Sequence, residues 1–196
     1  MDLSLIDFEA LKAEFEKSHK RIETEKLRGA INRKLVEMVH LNKSRVNYLE
    51  KFQKLIDEYN SGSYNVDTFF KKLIEFAQGL NAEEKRGIAE NLTEEELAIF
   101  DLLTKPEMTL SNMEEKKVKK VAHDILETLQ HEKLVLDWRK RQQSRAAVRQ
   151  SIEMILDNGL PGSYTKELFQ HKCDVVYQHI YDSYFGQGLS IYAHSV

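Results

Sequence analysis

Only two prolines, Pro106 and Pro161, interrupt 196 residues in which apolar side chains recur at every third or fourth position. Proline removes a helical hydrogen bond and clashes with the preceding turn, so its scarcity leaves long stretches free to coil. Eight glycines add few further breaks, and no stretch shows the period-two alternation of a half-buried strand. The pattern predicts an all-α fold: a multi-helix orthogonal or antiparallel bundle, arranged as two packed helical sub-bundles.

Taken in order, Leu5, Phe8, Leu11 and Phe15 predict a short first helix with Ser4 or Asp7 as N-cap. Leu27, Ile31, Leu35 and Met38 form the stripe of a second helix, and Asn42 to Ser44 a turn from which Ser44 caps a third. That third helix carries Tyr48, Leu49, Phe52, Leu55, Ile56 and Tyr59 and stops at Ser61-Gly62-Ser63. A fourth runs from Val66 through Phe69, Phe70, Leu73, Ile74 and Ala77 to Gly79, and Asn81 is expected to cap the next. Thr93 with Glu96, and Ser111 with Glu114, are capping boxes, in which side chain and backbone satisfy each other's orphan donors. The first precedes the apolar run Leu97 to Leu103; the second precedes the stripe Val118, Val121, Ile125, Leu129. Between them Thr104-Lys105-Pro106-Glu107 breaks the chain, because a residue before proline avoids helix. The expected division is therefore a helical region over 1–105 and a C-terminal helical domain over 106–196.

The stretch from Glu132 to Pro161 is the most unusual. At helical spacing it places Trp138, Arg141, Arg145, Val148, Ile152 and Ile155 on one face, so two arginines interrupt an apolar stripe. Buried arginines are paired, and Arg141 and Arg145 are expected to hold a structural ion pair with an acid such as Asp101, Asp137 or Asp174. Trp138, Arg139, Lys140 and Arg149 are the candidate partner or DNA contacts, since no acid falls between Trp138 and Ile152. Asn158 to Gly162 reads as a turn, and Tyr164-Thr165 opens a last helix bearing Phe169, Cys173, Val176, Tyr177, Ile180, Tyr181 and Tyr184. From Gly186 onward there is no periodicity.

Chemistry finds little purchase here. His131-Glu132 begins HExxH, but Val135 stands where the second histidine belongs. His123, Glu127 and His131 share a helix face that reads as solvated. GxSxG, GxxxxGK[ST] and GxGxxG are all absent. No catalytic, metal-ligating or cofactor-binding residue is expected, and no cofactor. Cys173 is the lone cysteine, the net charge is -3, and no apolar run reaches the roughly 18 residues of a membrane span. A cytoplasmic location without membrane contact is the expectation.

Three blocks then carry a likeness: LTEEELAIFDLLTKPE (Leu92 to Glu107), EKLVLDWRKRQQSRAAVRQSIEMILDNGLP (Glu132 to Pro161) and YTKELFQHKCDVVYQHIYDSYFG (Tyr164 to Gly186). They resemble the C-terminal region of the R subunit of type I restriction enzymes, and the earlier IDFEALKAEF and LEKFQKLIDEYNSG are similar to the helical region that precedes it. That subunit is the family's ATP-driven DNA motor and nuclease, but the motifs for both activities are missing from this sequence. The resemblance implies a non-catalytic helical assembly module that docks the motor onto the methyltransferase and specificity subunits and packs against the motor domains of its own subunit. The alternative it implies is a sequence-independent duplex-DNA contact supporting translocation, through Arg139, Lys140 and Arg141.

Overall fold

The computed structural model describes residues 2–17, 19–106 and 108–193; the Ser4 side chain and Glu107, both named above, lie outside them. Nine α-helices account for most of the described residues: α1 Phe8–Lys17, α2 Lys20–Leu41, α3 Val46–Asn60, α4 Val66–Glu84, α5 Arg86–Glu90, α6 Glu94–Thr104, α7 Asn112–Thr128, α8 Gln142–Gly159 and α9 Lys166–Ser183. The fold is all-α, with one addition, a two-stranded hairpin of β1 Tyr184–Gly186 and β2 Leu189–Ser190. No described helix is long and apolar enough to cross a membrane.

Two compact units emerge, Met1–Asn91 and Leu92–Val196. The division differs from the one expected at 105/106, because α6 packs on α7 and α9 and so belongs with the C-terminal helices. The change of unit coincides with Asn91, which closes α5 in the left-handed conformation at φ 55°, a role that asparagine fills well.

In the first unit α2 lies along α4, with α1 and α3 packed against α2. The predicted stripe of Leu27, Ile31, Leu35 and Met38 is buried, and so are Phe69, Leu73, Ala77 and Leu80 opposite it. Phe15 stacks on Phe70 with centroids 3.8 Å apart, and Tyr59 on Phe69 at 4.1 Å. Asp7 caps α1, accepting from the backbone N–H groups of Glu9 and Ala10. Leu5 is 83% exposed; a 3-10 turn over Leu3–Leu5 takes it off the α1 stripe and buries Leu3 instead. Ser44 does not cap α3: it sits inside a 3-10 turn, Lys43–Arg45, that leads into the helix, and Asn42 caps that turn by accepting from the Ser44 N–H. Nor does α4 stop at Gly79; it runs on to Glu84, and Asn81 reaches from inside the helix to donate to the Leu3 carbonyl at 2.9 Å. Burial of Leu80 on the same stripe outweighs glycine's local cost of about 1 kcal/mol.

In the second unit both capping boxes form as read, Thr93 with Glu96 and Ser111 with Glu114. The C-terminal carbonyls of α6 are satisfied from a distance: the Tyr164 hydroxyl donates to Leu103 and the buried Lys172 ammonium to Lys105. Helix α8 continues through Gly159 rather than turning at Asn158. Glycine is required there, since a Cβ would lie 2.4 Å from the Val121 Cγ2 of α7. After α9, Gln187 and Gly188 adopt positive φ (53° and 74°) between the paired Gly186 and Leu189, the two-residue turn that suits a hairpin's twist. The strands are too short for alternation to show in sequence.

Candidate docking surface

The helix expected from Trp138 to Ile155 is two elements. α7 loosens after Thr128 into a π turn, Leu129–Lys133, closed by Leu134 N–H on the Leu129 carbonyl. Beyond it lies a loop in which Asp137 takes φ 56°, which no helix accommodates, and α8 begins only at Gln142. Trp138 therefore sits on the loop, and it is fully buried there. Its indole Nε1 donates to the Tyr184 carbonyl at 3.1 Å and its ring meets Tyr181 edge-on. A buried indole with its N–H satisfied is a core residue, so Trp138 does not act as the surface contact expected of it.

The loop is fastened to the hairpin along its length. Gln187 N–H donates to the Leu134 carbonyl at 3.1 Å, and a Cβ at Gly186 would stand 2.5 Å from the Val135 carbonyl oxygen. Around this junction four apolar side chains remain exposed: Val135, Leu136, Phe185 and Leu189.

The basic residues beside it are largely occupied. Arg139 lies over the Phe185 ring at 4.6 Å and the Tyr181 ring at 5.6 Å, and donates to the Tyr181 carbonyl. Lys140 pairs with Asp137 at 2.9 Å, which holds the Asp137 carboxyl below its ordinary range. Arg149 bonds both Glu153 and Asp174 and covers Tyr177. Arg145 donates to the Arg139 carbonyl at 2.7 Å, while Arg141 precedes α8 as its exposed N-cap residue. Neither has a carboxylate within ion-pair distance among the described residues, so the expected structural pair at Arg141 and Arg145 is not formed. Of the acids proposed for it, Asp101 pairs with Lys105, Asp137 with Lys140 and Asp174 with Arg149.

A buried arginine clamped by an acid does exist, in the first unit. Arg45 is 2% exposed and its Nε lies 3.1 Å from Glu83 Oε1; the same carboxylate receives Arg86 and the Tyr48 hydroxyl. Periodicity could not find it, because the partners are 38 residues apart on separate helices.

The remaining histidine, cysteine and carboxylate candidates have defined surroundings. His123 bonds Glu96 at 2.7 Å, which raises the imidazole pKa above its ordinary value. Among the described residues no three His, Cys, Asp or Glu side chains converge to hold a metal. Burial pushes the Cys173 thiol up to about 11, far from a thiolate nucleophile. Glu95, in the first turn of α6, accepts from the Tyr184 hydroxyl at 2.6 Å and from the Gln130 side chain at 2.8 Å. Its role was hidden because both donors arrive from far along the chain.

Residues 1–181 match the family described as "Type I restriction enzyme HindI endonuclease subunit-like, C-terminal". The chain belongs to this family. It is also 25% identical over 131 residues to a putative type I restriction enzyme MjaIXP endonuclease subunit of Methanocaldococcus jannaschii. That alignment covers 63% of this chain but 12% of the relative, so the chain spans a small part of the length of the curated protein it matches. No solved structure gives a significant match. The family accounts for the long helical blocks that carried the resemblance, and all three of them fall within or overlap the matched span.

Proposed function

We propose that this chain is a non-catalytic assembly module of a type I restriction enzyme R subunit, and that it docks the motor subunit onto the methyltransferase and specificity core. The supporting observation is the end of the second unit where loop and hairpin meet. There Val135, Leu136, Phe185 and Leu189 are exposed while the neighbouring cations are taken up by acids or rings: Lys140 by Asp137, Arg149 by Glu153 and Asp174, Arg139 by Phe185 and Tyr181. A strip that reads phosphates keeps its cations available, because neutralising phosphates is what gives affinity. Apolar side chains with an aromatic and an arginine at the centre have the composition of a protein interface.

One observation favours the alternative, a sequence-independent DNA contact: Arg141 is exposed and stands next to Arg139 and Lys140. Sedimentation velocity of the chain with the cognate methyltransferase core, with and without duplex DNA at two salt concentrations, decides between them. Docking predicts a co-sedimenting complex without DNA, weakened by Leu136→Asp or Phe185→Asp. A chain that ignores the core but binds DNA with steep salt dependence would replace docking with the DNA reading.

A further inference from the structure

We propose that the cavity behind the hairpin receives the cationic side chain of a lysine or arginine presented by a partner protein; the source of that cation rests on the docking reading above. The cavity holds about 200 Å³ and lies among Glu95 of α6, Gln130 and Leu134 of the π turn and loop, and Tyr184, Gly188 and Leu189 of the hairpin. Drug-sized ligands occupy roughly 300–1,000 Å³, so this space suits one long side chain.

Its lining has a polarity that matches such a side chain. Among the described residues Glu95 supplies the one charged group of the lining, and no lysine or arginine joins it. Both donors to Glu95, the Tyr184 hydroxyl and the Gln130 amide, reach the same oxygen, Oε2. Oε1 accepts no hydrogen bond from the described residues, and a carboxylate oxygen with open lone pairs is the strongest acceptor a guanidinium or ammonium can meet. The tyrosine and glutamine hold the carboxylate in place without neutralising it. Leu134, Leu189 and Ala193 offer apolar wall to a hydrocarbon stem, which lysine and arginine carry below their charged heads. At Gly188 nothing stands within 4 Å of where a Cβ would be, so the turn leaves the space unobstructed. The α6 N-terminus contributes roughly +0.5 charge, but Glu94, Glu95 and Glu96 in its first turn outweigh it.

The test uses the whole 196-residue chain, isotope-labelled, with n-butylguanidinium and its neutral isostere n-butylurea as probes. Saturable amide shifts at Gly186, Gly188 and the Gln130 side chain are expected with the cation, at about tenfold higher affinity than with the urea. Glu95→Gln keeps an acceptor for Tyr184 and should remove about that factor. Leu189→Lys, at an exposed position, places a competing cation at the cavity and should weaken the probe similarly. Equal affinities for the two probes, no saturable shift, or indifference to both substitutions would overturn the assignment. Sedimentation with the methyltransferase core separates this from docking: a core that binds the parent chain and Glu95→Gln equally sinks the cavity role and leaves docking standing. A core that binds neither, while the cation probe still saturates, sinks docking and upholds the cation site.

Discussion

Trp138 Nε1 donates to the Tyr184 carbonyl across 3.1 Å, tying the loop after the π turn to the hairpin beyond α9. The indole is fully buried, so the bond is made out of water and the ring contributes its whole area to the core. Trp138→Ala should therefore cost about 3–5 kcal/mol, the range for removing a buried aromatic. Chemical denaturation monitored by circular dichroism measures it, and a cost under about 1 kcal/mol would mean the loop is not docked.

In the first unit the sensitive charge is Arg45. Replacing it with alanine leaves the buried Glu83 with one cation fewer, and such losses run to about 3–5 kcal/mol. Arg45→Ala combined with Glu83→Ala should cost less than the two single changes added, because the first removes the reason for much of the second.

Arg145 behaves differently from a paired buried arginine. Its replacement by alanine removes one charge-assisted bond to the Arg139 carbonyl in a half-buried site, a loss of about 1–2 kcal/mol. A measured loss of about 3 kcal/mol or more, the level of a broken buried pair, would contradict the backbone-bound geometry.

The His123–Glu96 bond predicts a pH window. Glu96 raises the histidine pKa above 6.5, so this contribution to stability is full below that value and fades as pH climbs through the folded-state pKa. For Glu96, burial pushes its carboxyl up, but the Thr93 and His123 hydrogen bonds prevail and hold it below 4.5. Its contribution is therefore lost as pH falls through that lowered value. Stability from the pair peaks between the two. His123→Ala should flatten the upper edge of the stability–pH profile and leave the lower edge, which the Thr93 contacts also shape.

Gly159 is a packing constraint on α7 and α8. Gly159→Ala gains up to about 1 kcal/mol in helix propensity, yet its methyl meets the stiff Val121 side chain at 2.4 Å, and such overpacking costs about 1–3 kcal/mol. Net destabilisation is expected, and Val121→Ala in the same chain should relieve the clash measurably in a double-mutant cycle.

Local signals were legible wherever a residue acts on its near neighbours. Both capping boxes, the α2 and α7 stripes and the Asp7 cap could be read because their partners lie within a turn or two. The misreadings share one cause. Trp138 lies on the loop and Arg145 in α8, seven positions apart by chance, and the break shows only in the positive φ of Asp137 and the extended Arg141. Gly79 and Asn81 look like a stop and a restart, but burial of Leu80 carries the helix through them. The division near residue 91 depends on which helices α6 touches, and the Arg45–Glu83 clamp on a contact across 38 residues. Neither leaves a trace in local spacing.

Trp138 is the only tryptophan in the sequence, and the backbone oxygen it leans on belongs to Tyr184, beyond the 181 residues that the family match covers. Its intrinsic fluorescence is thus a built-in optical gauge of the final segment. When the hairpin lifts away, the indole loses its shelter and its emission shifts to the red, even with every helix intact.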